Sequence, residues 1–562
     1  SAALHGMPVA CLMGRCHPRL TVTTCPRPVL SPGQIQLVGV RSFEPEEVIL
    51  AATMGVSVIT TAELRHHDLA QLLAKAAGDG PFGVSLDLDA IDPTDAPGVG
   101  TPVGGGIGGH ALLAALTPLL ALPRCLGLEI AEFNPHHDID HRTAALVEAL
   151  IGAALQARRP VMTKTIELEN RWCAHNYQPL PVVLVRGLGA EVWDEDGRRY
   201  IDMMGCYSAV SFGHGHPRIL KALTEQASKL AVVSRAYHTA PLGPFLELAC
   251  RLTGMDGGLP MNTGAEAVET ALKAARKWAY TVKMVPPGQA RIIACRGNFH
   301  GRTIAIIGMS TVPQYRDGFG PYPLGFDLVP FGDAPALERA ITPDTAAFLV
   351  EPIQGEGGII VPPPGYLARC RQICDANRVL LITDEIQTGL GRTGTILAAD
   401  HDGIRPDAVT LGKALGGGLL PVSLFLARRE VIDVFKPGDH GSTFGGNPLA
   451  AAVGREALIV LQEERLSERA ADLGGWLMDR LRRLSTPLIK EVRGRGLFIG
   501  IEFDPALIKA DTVCQRLAAR GILTKDTHRN TIRFAPPLVI SRDQLAEAVE
   551  ALRLVLDEKM AA

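Results

Sequence analysis

The chain has 562 residues, more than the roughly 250–300 at which one hydrophobic core stops growing, so at least two domains are expected. Hydrophobic residues make up 47% and charged residues 20%, a balance that excludes an intrinsically disordered protein. The 56 basic and 59 acidic residues give a net charge of −3, which favours a small-molecule substrate over nucleic acid or a membrane surface.

Cysteine usage and hydropathy bear on the compartment. The 11 cysteines have no paired spacing, and their odd number favours free thiols in a reducing environment. The longest apolar run, Ala111–Leu122, is interrupted by Pro118 and is shorter than the roughly 20 residues that a membrane span requires. No signal-peptide pattern is visible at the start of the sequence. A cytoplasmic location is therefore predicted.

The first 158 residues are expected to form an α/β domain. Short apolar runs alternate there with segments of helical spacing, which is typical of this fold class. The last helical run ends before Pro160, and we place the domain boundary there. The predicted strands are Ile35–Val40, Phe82–Leu88 and Cys125–Ile130, and the predicted helices are Thr61–Ala77, Gly109–Leu122 and Arg142–Ala157.

Residues 163–562 are expected to form a second, larger α/β unit. Buried strands alternate there with helices, as in a mostly parallel sheet covered on both faces. We expect residues 215–450 to form this large domain, and residues 163–214 and 451–562 to form a smaller α+β domain. Strands of the large sheet are predicted at Arg291–Cys295, Ala346–Val350, Val379–Thr383 and Ala408–Leu411.

One lysine stands out in the large domain. In DAVTLGKALGGG, a short apolar strand leads Lys413 into a glycine-rich turn. Burial disfavours the charge of lysine, lowers its pKa and makes it a nucleophilic amine. Taken alone, a surface lysine with a packed stem explains this segment better. The neighbouring motifs favour a buried, reactive lysine.

An acid follows another predicted strand. Asp384 comes directly after the apolar run VLLIT, at the end of a strand where open α/β sheets bind ligands. An aspartate in this position usually caps a helix. Together with Lys413 on a separate strand, Asp384 also fits the partner of a pyridine nitrogen in pyridoxal phosphate.

Two further segments supply groups for a phosphate and a ring. Asn262–Gly264 precedes a helix whose free N–H groups and positive end attract phosphate, although an ordinary capped helix has the same pattern. The segment GNFHGRT supplies Phe299 to stack on a ring and Arg302 to bind a carboxylate.

Six motifs in order carry a resemblance: NTGAEAVETA, GNFHGRT, VEPIQGEGG, DEIQTGLGRTG, LGKALGGG and HGSTFGGNPLA. Residues 163–562 thus resemble the class III aminotransferases of the type I pyridoxal-phosphate fold. The resemblance implies pyridoxal 5'-phosphate as cofactor, Lys413 as the Schiff-base residue and proton carrier, and Asp384 at the pyridine nitrogen. Further implied cofactor contacts are Gln387 at the ring hydroxyl, Phe299 on the ring, Gly264 and Ala265 at the phosphate, and Thr443 from the neighbouring subunit of a homodimer or larger homo-oligomer.

Rarer features are similar to ornithine aminotransferases in particular: ENRWCAHNYQPLPV, GCYSAV, QGEGG and TIRFAPPL. The implied reaction converts ornithine and 2-oxoglutarate to glutamate-5-semialdehyde, which cyclises to pyrroline-5-carboxylate, and glutamate. The implied substrate contacts are Tyr177, Tyr207 and Arg302 for ornithine, and Arg533 for the oxo acid. Glu356 would pair with Arg533 when that arginine is not required; an ordinary surface ion pair, contributing about 0–1 kcal/mol, explains the two residues equally well.

The segment SLDLDAIDPTDAPGVGTPVGGG resembles the metal-binding strand end of arginases, and only the C-terminal half of that family is covered. Asp87 and Asp89 stand where two carboxylate ligands of that family lie, His5 matches its proton-shuttle histidine, and Glu132 matches its guanidinium contact. A two-metal hydrolase needs a full set of ligands, and the remaining ligand motifs are absent from this sequence. We therefore expect a vestigial domain without a metal.

Two histidine-rich segments have structural explanations. HHDIDH is expected to be a solvated loop, and GHGHP a turn before a helix that begins at Pro217. Three functions remain open: an ornithine aminotransferase, a bifunctional enzyme with an active arginase half, and an inactive scaffold. Acetylornithine and 4-aminobutyrate are the rival amino donors, which Tyr177 and Tyr207 are expected to discriminate against.

Overall fold

A computed structural model describes residues 31–41, 45–64, 66–78, 80–122, 124–157, 164–528 and 530–561. The chain divides into two compact units, Ser1–Pro181 and Val182–Ala562. The boundary expected between residues 158 and 163 lies outside the described residues, as does His5. The domain limits expected from the sequence therefore stay predictions.

The first unit has the predicted α/β character. Its elements, in chain order, are β1 (Gln36–Val40), α1 (Pro45–Met54), β2 (Ser57–Thr60), α2 (Thr61–Leu64), α3 (Leu69–Ala77), β3 (Phe82–Asp87), α4 (Gly109–Leu120), β4 (Cys125–Ala131), α5 (Arg142–Ala157) and α6 (Lys164–Trp172). Strands β1 and β2 form one parallel pair, and β3 and β4 form another. Leu86, Leu88, Leu112 and Leu116 are buried in its core.

The helix predicted at Thr61–Ala77 was wrong, because this segment forms two helices, α2 and α3. The carboxylate of Asp68 accepts the backbone N–H groups of Ala70 at 2.8 Å and Gln71 at 3.2 Å, which begins a new helix. Apolar spacing continues across this break, so the spacing alone did not reveal it.

The second unit contains strands β5 to β19 and helices α7 to α18. The strands are β5 (Leu184–Leu188), β6 (Glu191–Asp194), β7 (Arg199–Asp202), β8 (Gly257–Met261), β9 (Arg291–Cys295), β10 (Phe326–Val329), β11 (Thr345–Val350), β12 (Leu380–Asp384), β13 (Ala408–Leu411), β14 (Ser423–Ala427), β15 (Ile489–Arg495), β16 (Phe498–Phe503), β17 (Ile522–Leu523), β18 (Asp526–Thr527) and β19 (Thr531–Phe534). The helices are α7 (Pro217–Lys229), α8 (Leu242–Thr253), α9 (Gly264–Trp278), α10 (Ile304–Ile307), α11 (Pro313–Arg316), α12 (Ala334–Ala340), α13 (Tyr366–Ala376), α14 (Arg429–Ile432), α15 (Pro448–Glu463), α16 (Leu466–Arg482), α17 (Ala510–Ala518) and α18 (Arg542–Ala561).

A seven-stranded sheet forms the centre of this unit, in the order β10-β9-β11-β12-β13-β14-β8. Strands β10, β9, β11, β12 and β13 are parallel, whereas β14 runs antiparallel to both of its neighbours. Every residue of β11, β12, β13 and β14 is buried, because helices cover both faces. The carboxyl ends of the parallel strands therefore meet at one edge of the sheet.

The second unit also has two smaller sheets. Their strands come before or after those of the large sheet in the sequence. Strands β15, β16, β19 and β18 form an antiparallel sheet, and β17 joins β7, β6 and β5 in the other. The second sheet thus combines residues near position 190 with residues near position 522. Helix α7 begins with Pro217 at its first position, as predicted from GHGHP.

A buried arginine connects these parts. The side chain of Arg392 is fully buried, and its guanidinium donates to the carbonyl oxygens of Leu497 (2.9 Å) and Pro536 (2.6 Å) and to the hydroxyl of Ser211 (3.0 Å). Arg392 follows β12 in the large sheet, while its acceptors belong to the segments that form the smaller sheets.

Candidate active site

A cavity of about 180 Å³ lies at the carboxyl ends of β12 and β13, beside the first turn of α9. This is the edge at which open α/β sheets bind ligands. Six residues predicted as cofactor contacts line it together. The lining residues are Gly264, Ala265, Phe299, His300, Gly301, Glu351, Asp384, Ile386, Gln387, Thr388 and Lys413.

Lys413 begins a short 3₁₀ turn that follows β13, and its φ of 45° lies in the left-handed region. Burial lowers the pKa of its amine, although the negative charges of Glu356 and Asp384 act in the opposite direction. A larger share of this amine is therefore neutral near pH 7 than for an exposed lysine, and a neutral amine is nucleophilic.

Asp384 ends β12 and is almost fully buried. Its Oδ2 lies 2.7 Å from Nδ1 of His300, and its Oδ1 accepts the hydroxyl of Thr410 at 3.1 Å and the N–H of Ile386 at 3.1 Å. Burial by itself would lower the pKa of His300, but the hydrogen bond and charge of Asp384 raise it above its ordinary value. A buried ion pair thus holds a negative charge at the cavity wall.

A second buried acid, Glu351, lies behind Asp384. Its carboxylate accepts the backbone N–H of Phe299 at 2.9 Å and that of Gly355 at 3.1 Å. Burial raises the pKa of Glu351 to about 7, helped by the nearby charge of Asp384. Glu351 therefore fixes the backbone that carries Phe299, and part of it is protonated at neutral pH.

The start of α9 forms the other end of the cavity. The hydroxyl of Thr263 accepts the N–H of Glu266, and the Glu266 carboxylate accepts the N–H of Thr263, in a complete capping box. The next N–H groups, those of Gly264 and Ala265, belong to the first turn of α9, where N–H groups have no acceptor within the helix itself. A Cβ at Gly264 would lie 3.0 Å from Ile386 and narrow this end of the cavity.

A buried ion pair lies next to Gln387, one of the residues that line the cavity. Nη1 of Arg533 lies 2.5 Å from Oε1 of Glu356, and their side chains are 4% and 18% exposed. The same Oε1 accepts Nε2 of Gln387 at 3.2 Å. Burial would raise the pKa of Glu356, but the charges of Arg533 and Lys413 hold it below its ordinary value. This pair is not an exposed surface pair.

Tyr207 belongs to an unusual turn. Gly205, Cys206, Tyr207 and Ser208 all have φ between 47° and 76°, a left-handed turn that costs roughly 1–2 kcal/mol for each non-glycine residue. Asp202 Oδ1 accepts the N–H of Gly205 at 2.8 Å, and a Cβ at Gly205 would lie 2.6 Å from the carbonyl oxygen of Ala535. The guanidinium of Arg533 lies 4.7 Å from the centre of the Tyr207 ring.

Arg302 and Phe299 lie together in the loop after β9. The guanidinium carbon of Arg302 is 5.6 Å from the Phe299 ring centre and 4.0 Å from that of Tyr315 in α11. The rings of Phe299 and Tyr315 meet edge to face at 6.0 Å. Arg302 is exposed to solvent, whereas Phe299 faces the cavity.

Six predicted residues are not among those that line the cavity: Tyr177, Tyr207, Arg302, Glu356, Thr443 and Arg533. The side chain of Thr443 is exposed, so its predicted contact with the phosphate of a neighbouring subunit stays a prediction. Tyr177 is 76% exposed and belongs to the first unit, and its predicted contact with ornithine also stays a prediction.

In the first unit, the two arginase-like carboxylates, Asp87 and Asp89, accept hydrogen bonds from backbone N–H groups of the same unit. Asp87 Oδ1 accepts the N–H of Asp89 at 2.9 Å, and Asp89 Oδ1 accepts that of Thr101 at 3.2 Å. Burial raises the pKa of Asp87. The described residues contain no group of three or more metal-ligating side chains.

A larger cavity of about 430 Å³ in the first unit is lined by apolar side chains such as Leu64, Leu69 and Ile107 and by two glycines, a threonine and an aspartate. Its one charged residue is Asp92, whose carboxylate accepts hydrogen bonds from Thr94, Gly105 and Gly106. The titratable groups at the second-unit cavity therefore mark that cavity as the candidate active site.

Three residues of the site were not singled out from the sequence: His300, Glu351 and Thr410. Each lies inside a motif that drew attention for another residue. His300 follows Phe299, Glu351 opens VEPIQGEGG, and Thr410 precedes Lys413 by three positions. The available signal was a polar residue near the end of a buried strand, because buried polar side chains need hydrogen-bond partners.

Residues 172–556 match the family Aminotransferase class-III, and residues 1–156 match the Arginase family. The chain is 54% identical to the ornithine aminotransferase of Bacillus subtilis over 391 residues, which cover 70% of this chain and 97% of that protein. Among the described residues, no helix is both long and apolar enough to cross a membrane.

Solved structures give the same picture for the second unit. The ornithine aminotransferase of Toxoplasma gondii, solved with partial occupancy of PLP at its active site, has a TM-score of 0.70 and 46% identity; the alignment covers 73% of this chain and 98% of that chain. The acetylornithine aminotransferase of Elizabethkingia anophelis has a TM-score of 0.64 and 46% identity, covering 70% and 98%.

Proposed function

Because the chain belongs to the class III aminotransferase family, we propose that its second unit transfers the terminal amino group of ornithine to 2-oxoglutarate, with pyridoxal phosphate as cofactor. The observation that carries this proposal is one cavity that combines Lys413, Asp384 and the first turn of α9, with the Glu356–Arg533 pair at its side. The predicted products are glutamate and glutamate-5-semialdehyde, which cyclises to pyrroline-5-carboxylate.

The polar groups of the cavity fit this cofactor. Oε1 of Gln387 is buried and has no hydrogen-bond partner among the described residues, so it is available to a donor such as the ring hydroxyl. Gly264 and Ala265 offer N–H groups at a helix start, which suit a phosphate. Asp384 offers a charge for the pyridine nitrogen, and Phe299 a ring to stack upon.

When bound, pyridoxal phosphate supplies an electron-withdrawing ring that takes up the electrons released when the substrate loses a proton. Lys413 would hold the cofactor through its amine and then carry the proton as general base and acid. Asp384 would pair with the pyridine nitrogen, and His300, whose pKa is raised by the hydrogen bond and charge of Asp384, would hold that carboxylate in place. Asp384 and His300 are almost fully buried, which strengthens the interaction between them.

Substrate binding would use the two arginines in turn. Arg302 would hold the carboxylate of ornithine, and Tyr207 would line the substrate pocket. Arg533 would hold the α-carboxylate of 2-oxoglutarate after leaving Glu356. The free-energy cost of separating Glu356 from Arg533 is offset only when another carboxylate takes the place of Glu356. Arg533 would therefore stay paired with Glu356 while ornithine reacts.

We also propose a homodimer in which Thr443 contacts the phosphate of the neighbouring subunit. Its side chain is exposed in the single chain, on a loop that Asn262 binds through Ser442 Oγ at 2.7 Å. Asn262 lies just before α9, whose first turn is the proposed phosphate site. The loop that carries Thr443 is therefore attached beside the phosphate site of its own chain.

The proposal is tested by mixing the purified protein with ornithine and 2-oxoglutarate while following cofactor absorbance and pyrroline-5-carboxylate. We expect ornithine to be used much better than acetylornithine or 4-aminobutyrate. Activity with acetylornithine and none with ornithine would contradict the assignment, which matters because an acetylornithine aminotransferase is also 46% identical to the chain.

For the first unit, we propose a folded domain without arginase activity. Asp87 and Asp89 accept backbone N–H groups of their own unit, and the described residues contain no group of three or more metal-ligating side chains. Manganese-dependent release of urea from arginine would contradict this and support a bifunctional enzyme.

A further inference from the structure

The two arginines near the cavity have opposite surroundings. Arg533 is buried and paired with Glu356 at 2.5 Å. Arg302 is exposed and forms no ion pair within the part of the chain that the structure describes; its guanidinium lies over the Tyr315 ring, with 4.0 Å between the guanidinium carbon and the ring centre. Arg302 is thus oriented by an aromatic ring, and its charge stays available to a substrate.

Tyr315 is also in contact with the cavity wall. Its ring meets that of Phe299 edge to face, with 6.0 Å between the centres and 76° between the planes. Phe299 lines the cavity that contains Lys413. Tyr315 therefore contacts both Arg302 and the aromatic residue of the cavity wall, Phe299.

A second contact ties Tyr315 to the smaller sheets. Its hydroxyl lies 3.4 Å from Nε2 of His528, in the turn between β18 and β19, and the two rings are 6.3 Å apart. The preceding residue, Thr527, donates its hydroxyl to the carbonyl oxygen of Glu356 at 2.6 Å. Two consecutive residues thus make both contacts: His528 contacts Tyr315, on which Arg302 is stacked, and Thr527 contacts Glu356, which is paired with Arg533.

An arginine stacked on a ring keeps its N–H edge free for a planar carboxylate. We propose that Tyr315, held by His528, is a positioning residue that orients Arg302 toward the carboxylate of the amino donor and so makes the enzyme require that carboxylate. This inference rests on the proposed function. It gives a specificity role to two residues outside the cavity lining.

Paired amino donors test the inference in the holoenzyme. 1,4-Diaminobutane is ornithine without its carboxylate, so the ratio of kcat/KM for ornithine to that for 1,4-diaminobutane measures the use of the carboxylate. In Tyr315→Met, which keeps a long side chain but removes the ring, we expect this ratio to fall about two- to fivefold, the size expected for losing one cation–π contact at an exposed arginine. The change should lie mainly in KM for ornithine, with 2-oxoglutarate unaffected.

Tyr322→Leu is the matched control, because Tyr322 forms a similar stack with Arg316 at 5.0 Å and does not line the cavity. Tyr315→Phe and His528→Ala each remove the contact between the Tyr315 hydroxyl and His528, and we expect each to lower the ratio about twofold, with no further loss when combined. If Tyr315→Met does not fold, this pair of variants decides the question.

The opposite results are distinct. Equal losses for both donors would mean that Tyr315 only supports the fold, and an unchanged ratio would mean that it does not orient Arg302; either outcome overturns the inference. No turnover of ornithine by the unchanged protein would instead contradict the proposed function, and this inference would fall with it.

Discussion

Glu356 and Arg533 form a buried ion pair, with 2.5 Å between Oε1 and Nη1, directly beside the cavity that contains Lys413. Gln387 donates to the same carboxylate oxygen, so one acid links the proposed cofactor site with the proposed oxo-acid site. A carboxylate that enters the cavity therefore competes with Glu356 for Arg533.

Removing the charge of Glu356 should favour an entering carboxylate over Glu356 as the partner of Arg533. In Glu356→Gln, we expect KM for 2-oxoglutarate to fall about tenfold and glutamate to become a better amino donor, because Arg533 loses its charged partner but keeps a hydrogen-bond acceptor. Steady-state kinetics with both donors measure the change. Asp327→Asn, which breaks the Arg291–Asp327 pair at the edge of the large sheet, is the control and should leave both constants unchanged. A higher KM for 2-oxoglutarate in Glu356→Gln would argue against the switch.

Lys413→Ala should lower kcat by at least about 10³-fold, because the base that moves the proton is lost. Borohydride reduction of the unchanged protein, followed by peptide mass spectrometry, should place the cofactor on Lys413. Lys283→Ala is the control, since burial also lowers the pKa of Lys283, but its amine donates to the carbonyl oxygens of Thr345 and Asn377. Labelling of another lysine would contradict the assignment.

Glu351 should make stability depend on pH. Its pKa is about 7 in the folded protein against an ordinary 4.5, so between these values the folded state keeps a proton that the unfolded state releases. Stability contributed by this group is thus highest below about pH 4.5 and is lost as pH rises to about 7, by up to roughly 1.4 kcal/mol per pH unit. Glu385, raised to about 7 by burial, acts in the same direction.

In Glu351→Gln, we therefore expect a weaker decrease of the free energy of unfolding across this pH range. Denaturant unfolding at several pH values, with the cofactor removed, provides the measurement. A pH dependence identical to that of the unchanged protein would show that Glu351 is already ionised when folded.

Manganese should not stabilise the protein. Since Asp87 and Asp89 bond to backbone N–H groups and the described residues supply no group of three ligands, we expect the Tm to change by less than about 1 °C at millimolar Mn²⁺. Differential scanning calorimetry checks this, with Ca²⁺ as the control for general ionic effects. A rise in Tm with Mn²⁺ alone would indicate a functional metal site.

The sequence predicted the strands of the large sheet well. Arg291–Cys295 and Ala408–Leu411 form strands with the predicted limits, because strands buried on both faces are continuous apolar runs. The break at Asp68 was missed, since a capping side chain acts locally while the apolar spacing continues. Glu351 and His300 were missed because only the folded sheet brings their strand ends and loops beside Asp384.

The Glu356–Arg533 pair shows the same limit. The sequence suggested the partners but left open a surface pair, because residues 177 positions apart give no indication of burial. The left-handed turn at Tyr207 was also invisible, because cysteine, tyrosine and serine rarely adopt positive φ and nothing local requires it. Bonds at the start of the turn hold it in place: Asp202 Oδ1 accepts the N–H of Gly205, and the carbonyl oxygen of Met203 accepts the N–H of Ala535 at 2.8 Å.

The bonds of Arg392 govern how the second unit comes apart. Its guanidinium donates to the carbonyl oxygens of Leu497 and Pro536 and to the hydroxyl of Ser211, so detaching the smaller sheets from the large one would break three hydrogen bonds from a charged donor at once, each contributing about 1.5–3 kcal/mol. A half-melted state of this unit is therefore too costly to accumulate. On heating, its three sheets should disappear in a single cooperative transition, and a fragment cut between them should not stay folded.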